Sequence, residues 1–461
     1  MNENIIQTIL SSTIIKNQPF QSLKLSPNDW IISSIHSISC IYFYNIQQWS
    51  LYEKQSNDMF INVERLILSL RKLLEYYPLL NGVLKLFDED NKVSIVQNDS
   101  KGGILFVSTT VNISLSQLPL SFEEYTNTNI IPAELQLVNI VDVDTLLHVR
   151  HTRFLCGSVA FGISLNHQVG DAHSYFQIVK DWAQLYKNLD YQPNVCHQRS
   201  LLELNLTDIE ILKKTNPNFN NRKSLSVNIE TSSLVQQTKQ IILKTFRFSA
   251  DELNRMKSDA SSHLSSNVTY VSTFDVLTAH LYRHVMLARN YSKSSITKLY
   301  ISTDIRPRLT QPSIPNTYFG NGTMLSYLEM NMTELINTNC LGLLASQIHK
   351  AIEENNNNDI RTTLSWIICQ IDKKKILPTW NLDETDFTIS AWNKMGMYSD
   401  SDFEFGVYPC RILFPRDTKY NGAANLFSTE KNDTSIDVIL GLEINEMERM
   451  EKNSEFRKYR V

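Results

Sequence analysis

Residues 159–173 read Val159-Ala-Phe-Gly-Ile-Ser-Leu-Asn-His167-Gln-Val-Gly-Asp171-Ala-His173. The first seven are an apolar run of strand length. From Ala172 to Tyr186, the residues Phe176, Val179, Trp182, Ala183 and Tyr186 recur three or four apart, the spacing of an amphipathic helix. The residues between form a strand-to-helix turn. His167 stands just past the strand end, where a side chain can face a cleft between layers. Its reference pKa, about 6.5, leaves a neutral imidazole able to take a proton near neutral pH. Asp171 begins the helix, where a carboxylate accepts N–H bonds from the first turn. From these residues alone several readings stay open: an N-cap aspartate, a loop histidine with its hydrogen bonds satisfied, a metal set of His167, Asp171 and His173, or a general base. The metal reading is the weakest, since no further His/Cys cluster has ligand spacing.

The rest of the chain bounds what carries this turn. Lys plus Arg is 44 and Asp plus Glu is 48, a net charge of −4 over 461 residues. Such balance argues against wholesale nucleic-acid binding, which needs clustered cations. Gly and Pro number 13 each, which excludes collagen-like and Pro/Gly-rich disordered chains. Apolar residues at 42% suffice for large cores, and the length suggests two or three domains. No apolar run approaches the ~20 residues that span a bilayer. Residues 1–20 lack a basic segment ahead of their Ile and Leu, so no signal peptide is expected. Six cysteines without a CxxC pair read as reduced thiols of a cytosolic protein.

The order of elements is mixed α/β. Helices are expected over 63–76, 172–186 and 274–288, and strands over 241–248, 298–303 and 435–444. Ser249-Ala-Asp-Glu252 is a capping box that starts a further helix. Residues 188–240 are polar and broken by Pro193 and Pro217. The chain is therefore expected to divide into 1–190, a crossing linker 191–240 and 241–461. Asn355–Asn358, the one low-complexity tract, reads as a loop tip. There is no G-x-S-x-G elbow, no G-x-G-x-x-G after a strand and no Walker lysine loop. Asp383, Glu384 and Asp386 read as a solvated loop.

Taken with a second stretch, the His167 turn resembles the H-x-x-x-D-G motif of the BAHD acyltransferases, the CoA-dependent acyltransferases of plant and fungal secondary metabolism. Asp402-Phe-Glu-Phe-Gly406 stands where that family carries D-F-G-W-G. Leu25-Ser-Pro-Asn-Asp29, Tyr76-Tyr-Pro-Leu-Leu-Asn-Gly82, Ser272-Thr-Phe-Asp-Val-Leu-Thr-Ala-His280, Asp304-Ile-Arg-Pro-Arg308, Tyr318-Phe-Gly-Asn321 and Ser390-Ala-Trp392 are similar to its lesser motifs. Ala172 departs from the usual Gly, and Glu404 and Phe405 depart from Gly and Trp. Asn166 ahead of His167 means that the double histidine of the related condensation domains is absent.

The resemblance implies two similar chloramphenicol-acetyltransferase-like α/β (α+β) domains with a channel between them, and His167 midway along it. It implies an enzyme that moves an acyl group from acyl-CoA, a co-substrate, to a small-molecule alcohol or amine, with no permanently bound cofactor and no metal. His167 would be the base, and Asp171 would point away and pair with Arg306. Ser390 and Trp392 would take oxyanion and positioning roles. Ser272 and Thr273 would meet the CoA phosphates at a helix start, with Arg306 and Arg308 also suited to phosphate; Asp402 and Gly406 would be structural. A cytoplasmic monomer is expected, with no nucleic acid, membrane or obligate protein partner. The alternatives are a CoA-binding protein without turnover, to which the altered second signature points, and a condensation-type enzyme using a carrier-bound acyl group.

Overall fold

The computed structural model describes residues 6–17, 21–33, 36–52, 59–87, 92–98, 100–118, 135–139, 143–215, 225–227, 240–292, 294–337, 340–370, 375–415 and 420–460. Two six-stranded sheets organise them. The first runs, neighbour to neighbour, Gln7–Ile15, Ile104–Val111, Leu147–Arg153, Val159–Asn166, Ser37–Tyr44 and Arg411–Leu413. The second runs Ile241–Phe248, Ile436–Glu443, Ala423–Ser428, Phe387–Ala391, Ile296–Asp304 and Thr323–Asn331. Both are mixed. Ile104–Val111 pairs parallel with Leu147–Arg153, and Phe387–Ala391 pairs parallel with both of its neighbours.

The Val159–Asn166 strand is buried at every position, which explains its unbroken apolar reading: side chains on both faces meet protein. The helix after it runs Ala172–Lys187 and packs on Val63–Tyr76, with Trp182 Nε1 donating to Ser69 Oγ at 2.9 Å. On the second sheet, Thr273–Arg289 and Leu341–Glu354 pack together. The sequence-based elements are present with ends shifted by a few residues, as in Ile296–Asp304 and Ile436–Glu443.

Two features differ from the sequence reading. Asn355–Asn358 is not a loop tip. Asn356 Oδ1 accepts from the N–H groups of Asn358 and Asp359 at 2.9 and 3.3 Å and so starts the helix Asn357–Cys369. Asparagine suits that role because its short amide replaces a missing turn of helix. The other feature is a return of the chain: Arg411–Leu413, late in the sequence, adds the last strand to the first sheet, antiparallel to Ser37–Tyr44. Within 191–240, residues 216–224 and 228–239 lie outside the described residues. The described part holds the helix Leu206–Thr215 and a short strand, Leu225–Val227, paired with Ile376–Pro378.

Candidate active site

His167 lies where the Val159–Asn166 strand ends, and its N–H donates to the His36 carbonyl at 2.9 Å, a bond that carries the sheet ladder into the turn. The ring lines a cavity of about 640 Å³ between the halves. Asn28, Ile31, Ile32 and His36 come from one side, and Ser302, Thr323, Met324, Thr363 and Trp380 from the other. Burial lowers the imidazole pKa below 6.5, and the charge of His36 adds to this, against opposition from Asp171 and Asn321. The neutral ring is therefore the resting form near pH 7. Nδ1 is enclosed and makes no hydrogen bond.

Two buried ion pairs hold the turn. In the first, Asp171 Oδ1 caps its helix by accepting from Ser174 N–H at 3.0 Å. Arg306 meets the same carboxylate bidentately, Nη1 to Oδ2 and Nη2 to Oδ1, each at 2.9 Å. Gly322 N–H and Thr323 Oγ1 donate to Oδ2 at 2.8 and 3.0 Å. Both partners' side chains are at most 3% exposed. Burial alone would push the Asp171 carboxyl up, but the Arg306 guanidinium and these donors hold it well below the usual carboxylate range.

In the second pair, Arg199 Nη1 meets both oxygens of Asp29 at 3.0 and 2.9 Å, while its Nη2 donates to the Val169 carbonyl at 2.7 Å. Asn321 bridges the two pairs: its Nδ2 donates to Asp29 Oδ1 at 2.8 Å and to the His167 carbonyl at 2.9 Å. The segment Tyr318-Phe-Gly-Asn-Gly322 is the crosspiece. A Cβ at Gly320 would sit 2.2 Å from Arg199 Nη1, and one at Gly322 would sit 2.5 Å from Arg306 Nη1. Glycine is needed there because a guanidinium passes where a side chain would be.

The far end of the same helix is fixed by the second signature. Lys187 Nζ pairs with Asp402 Oδ1 at 2.7 Å, and Phe403 is fully buried among Tyr44, Phe161, Trp182 and Tyr186. Gly406 has φ +77°, a left-handed backbone open to glycine. The departing residues fit this frame. Glu404 Oε1 accepts from Tyr186 OH at 2.9 Å and from Ile61 N–H at 3.2 Å, and Phe405 is exposed beneath Lys187.

The remaining sequence-derived residues are spread more widely. Trp392 Nε1 donates to Ser390 Oγ at 3.0 Å, and the indole packs edge-on to Phe176 of the His167–Asp171 helix. Neither Ser390 nor Trp392 lines the cavity around His167, whereas Thr388 of the same strand does. Ser272 caps its helix reciprocally with Asp275, whose carboxylate also meets His349 Nδ1 at 3.0 Å. That helix start is therefore matched by a carboxylate of its own chain, and neither Ser272 nor Thr273 lines the cavity. His173 Nε2 donates to the Asn316 carbonyl at 2.8 Å, so the His167–Asp171–His173 trio is committed elsewhere; among the described residues no cluster has the makings of a metal site. Arg308 Nη1 donates to the Ile352 carbonyl at 2.8 Å. Sequence reasoning gave no role to Arg199, which sits in a polar stretch without periodicity, and noted Asp29 and Asn321 only as marks of resemblance.

Solved structures share this architecture. TRI101 of F. graminearum, complexed with coenzyme A and deoxynivalenol, matches with TM-score 0.74 at 17% identity, over 95% of this chain and 99% of its own. Vinorine synthase matches with TM-score 0.66 at 20% identity, over 96% of each chain. The fold is thus that of the two-domain, chloramphenicol-acetyltransferase-like acyltransferases. Residues 5–457 match the model of the Transferase family, and the chain belongs to it: it is a BAHD acyltransferase, an enzyme of acyl transfer from CoA to alcohol or amine acceptors. Among named relatives, shikimate O-hydroxycinnamoyltransferase of Nicotiana tabacum is 26% identical, over 96% of this chain and 98% of its own. Rosmarinate synthase of Plectranthus scutellarioides is 25% identical over the same shares. Anthranilate N-benzoyltransferase protein 2 of Dianthus caryophyllus is 25% identical, over 94% of this chain and 96% of its own.

Proposed function

We propose that His167 is the general base of the transfer. The observation that carries this reading is a neutral imidazole lining the cavity between the sheets, on a turn held by two buried ion pairs. With Nδ1 enclosed, the other ring nitrogen is the one available to a ligand. It takes the proton of the acceptor's hydroxyl or amine as that group attacks the thioester carbonyl. The carbon–sulfur bond then breaks, and the CoA thiolate leaves and recovers the proton. A positioned base contributes roughly 10²–10⁴-fold, and joint binding of both substrates supplies further acceleration through proximity. No acyl-enzyme is needed, so no cysteine takes part.

Asp171 acts through the turn as a positioning residue, with Arg306 as its structural counterpart. Ser390 and Trp392 are the proposed oxyanion and positioning pair; their mutual hydrogen bond and the packing of Trp392 on Phe176 support that role. Ser272 and Thr273 are the proposed contacts for the CoA phosphates, since first-turn N–H groups favour anions. Asp402 and Gly406 are structural, a role supported by the Lys187 pair and the left-handed backbone. The proposed functional units are 1–190 and 241–461, joined by 191–240. A cytoplasmic, monomeric enzyme of secondary metabolism, needing no nucleic acid, membrane or protein partner, completes the reading; six free thiols support a reducing compartment.

A panel of acyl-CoAs screened for thiol release, with His167→Ala alongside, tests this. Release by the parent and loss in the variant is the expected outcome. Equal release by both refutes the base, and no thermal stabilisation at millimolar CoA refutes the CoA site itself.

A further inference from the structure

The cavity at His167 does not end at its own walls. A second chamber of about 430 Å³ adjoins it across a sill of Ile31, Ile32, Ser33, Ile376 and Leu377, residues that line both. The two differ in chemistry. The first offers Asn28, Ser302, Asn321, Thr323, Thr363 and Thr388. The second is walled by Trp30, Leu84, Leu86, Val93 and Val143, and no charged side chain lines it among the described residues. Gln168, the residue after His167, lines the second chamber, so the backbone that carries the base also separates the two spaces.

We propose that the second chamber is the acyl subsite and that it takes an acyl group larger than acetyl, of apolar alkyl or aryl character. This rests on the reading that acyl-CoA reacts beside His167. The two ends of the co-substrate have opposite needs: the pantetheine amides require hydrogen-bonding partners, whereas a hydrocarbon chain requires none and gains from leaving water. Polar walls on one side of the base and apolar walls on the other match that division. The acceptor, which must present a hydroxyl or amine, finds no charged partner in the apolar chamber. Gln168 refines the class. Its Oε1 is buried and accepts no hydrogen bond, while the residue is 4% exposed, so a hydroxyl on the acyl group would meet a waiting acceptor.

The test uses non-reactive thioethers, which need no acceptor and no turnover. S-hexyl-CoA and S-ethyl-CoA are titrated calorimetrically into the full chain and into Leu84→Trp and Leu86→Trp, each of which fills the chamber from a half-buried position. The parent is expected to bind the hexyl compound at least about 10-fold more tightly, and each variant to lower that ratio at least about 10-fold, as hydrophobic pockets discriminate by methylene count. Equal binding of the two thioethers by the parent overturns the subsite. So does a ratio that moves less than two-fold in both variants while they keep the parent's melting temperature. Binding of neither thioether overturns the subsite and the co-substrate together. Retained selectivity with undiminished turnover in His167→Ala sinks only the base.

Discussion

Replacing Asp171 by asparagine separates a positioning carboxylate from a chemical one. The substitution keeps Oδ1, which accepts from Ser174 N–H and Arg306 Nη2. It puts an amide NH₂ where Oδ2 accepted from Arg306 Nη1, Gly322 N–H and Thr323 Oγ1 at 2.9, 2.8 and 3.0 Å. Donors then face donors around a guanidinium 1% exposed. Breaking a buried pair from one side costs about 3–5 kcal/mol. At about 2–4 °C per kcal/mol for a unit of 150–250 residues, the melting temperature should fall by about 6–20 °C. Thermal unfolding by circular dichroism measures this, with turnover assayed well below both midpoints. The pH dependence supplies a second reading. The Asp171 carboxyl is depressed in the folded state, so its contribution is fully present above the unfolded value of 3.8 and is lost as pH falls from there towards the folded pKa. The gap between parent and variant should therefore narrow below about pH 4. A variant with lowered turnover and an unchanged melting temperature would refute the ion pair as the anchor of the turn.

Other perturbations probe the same frame. His167→Ala should lower turnover by about 10²–10⁴-fold with little change in melting temperature, since the ring is partly open to a cavity; undiminished turnover sinks the base. Because burial lowers the His167 pKa, its neutral form is complete above 6.5 and rate is lost only as pH falls through a lower value; an acid limb of kcat/KM centred above 6.5 contradicts this. Arg199→Ala strands the Asp29 carboxylate and should cost about 3–5 kcal/mol, measured by denaturant unfolding; a cost under 1 kcal/mol would remove the second anchor. Glu404→Gln keeps the acceptor for Tyr186 OH and Ile61 N–H and should be near neutral, whereas Glu404→Ala should cost about 1–3 kcal/mol; equal effects would show that the carboxylate charge, not the acceptor, matters.

Much of the frame was legible because it obeys local rules. The strand, turn and helix around His167 follow from apolar period and capping, and so does the Ser249–Glu252 box. What stayed hidden depends on partners far away in sequence. Leu147–Arg153 contains His148, Arg150 and His151, which disguise a central strand. They are buried because remote groups satisfy them, as when Arg150 Nε donates to Asn139 Oδ1 at 2.9 Å and Ser108 Oγ meets His151 Nδ1 at 3.1 Å. Arg199 was invisible for the same reason: its partner Asp29 lies 170 positions earlier. The pairing of Asp171 with Arg306 came from resemblance, not from spacing. The second chamber had no signature at all, since its wall is assembled from short strands and a loop of both halves.

The Arg411–Leu413 return has a consequence for synthesis. Ser37–Tyr44 lies between Val159–Asn166 and this late strand, and nearly all its residues are buried. While the ribosome is still making the second sheet, that flank stands bare, an apolar ribbon with open backbone groups of the kind that recruits foreign strands. The nascent chain must either be chaperoned through that interval or reach residue 413 quickly. A gene truncated before this point should yield inclusion bodies, and adding the missing peptide in trans should restore solubility.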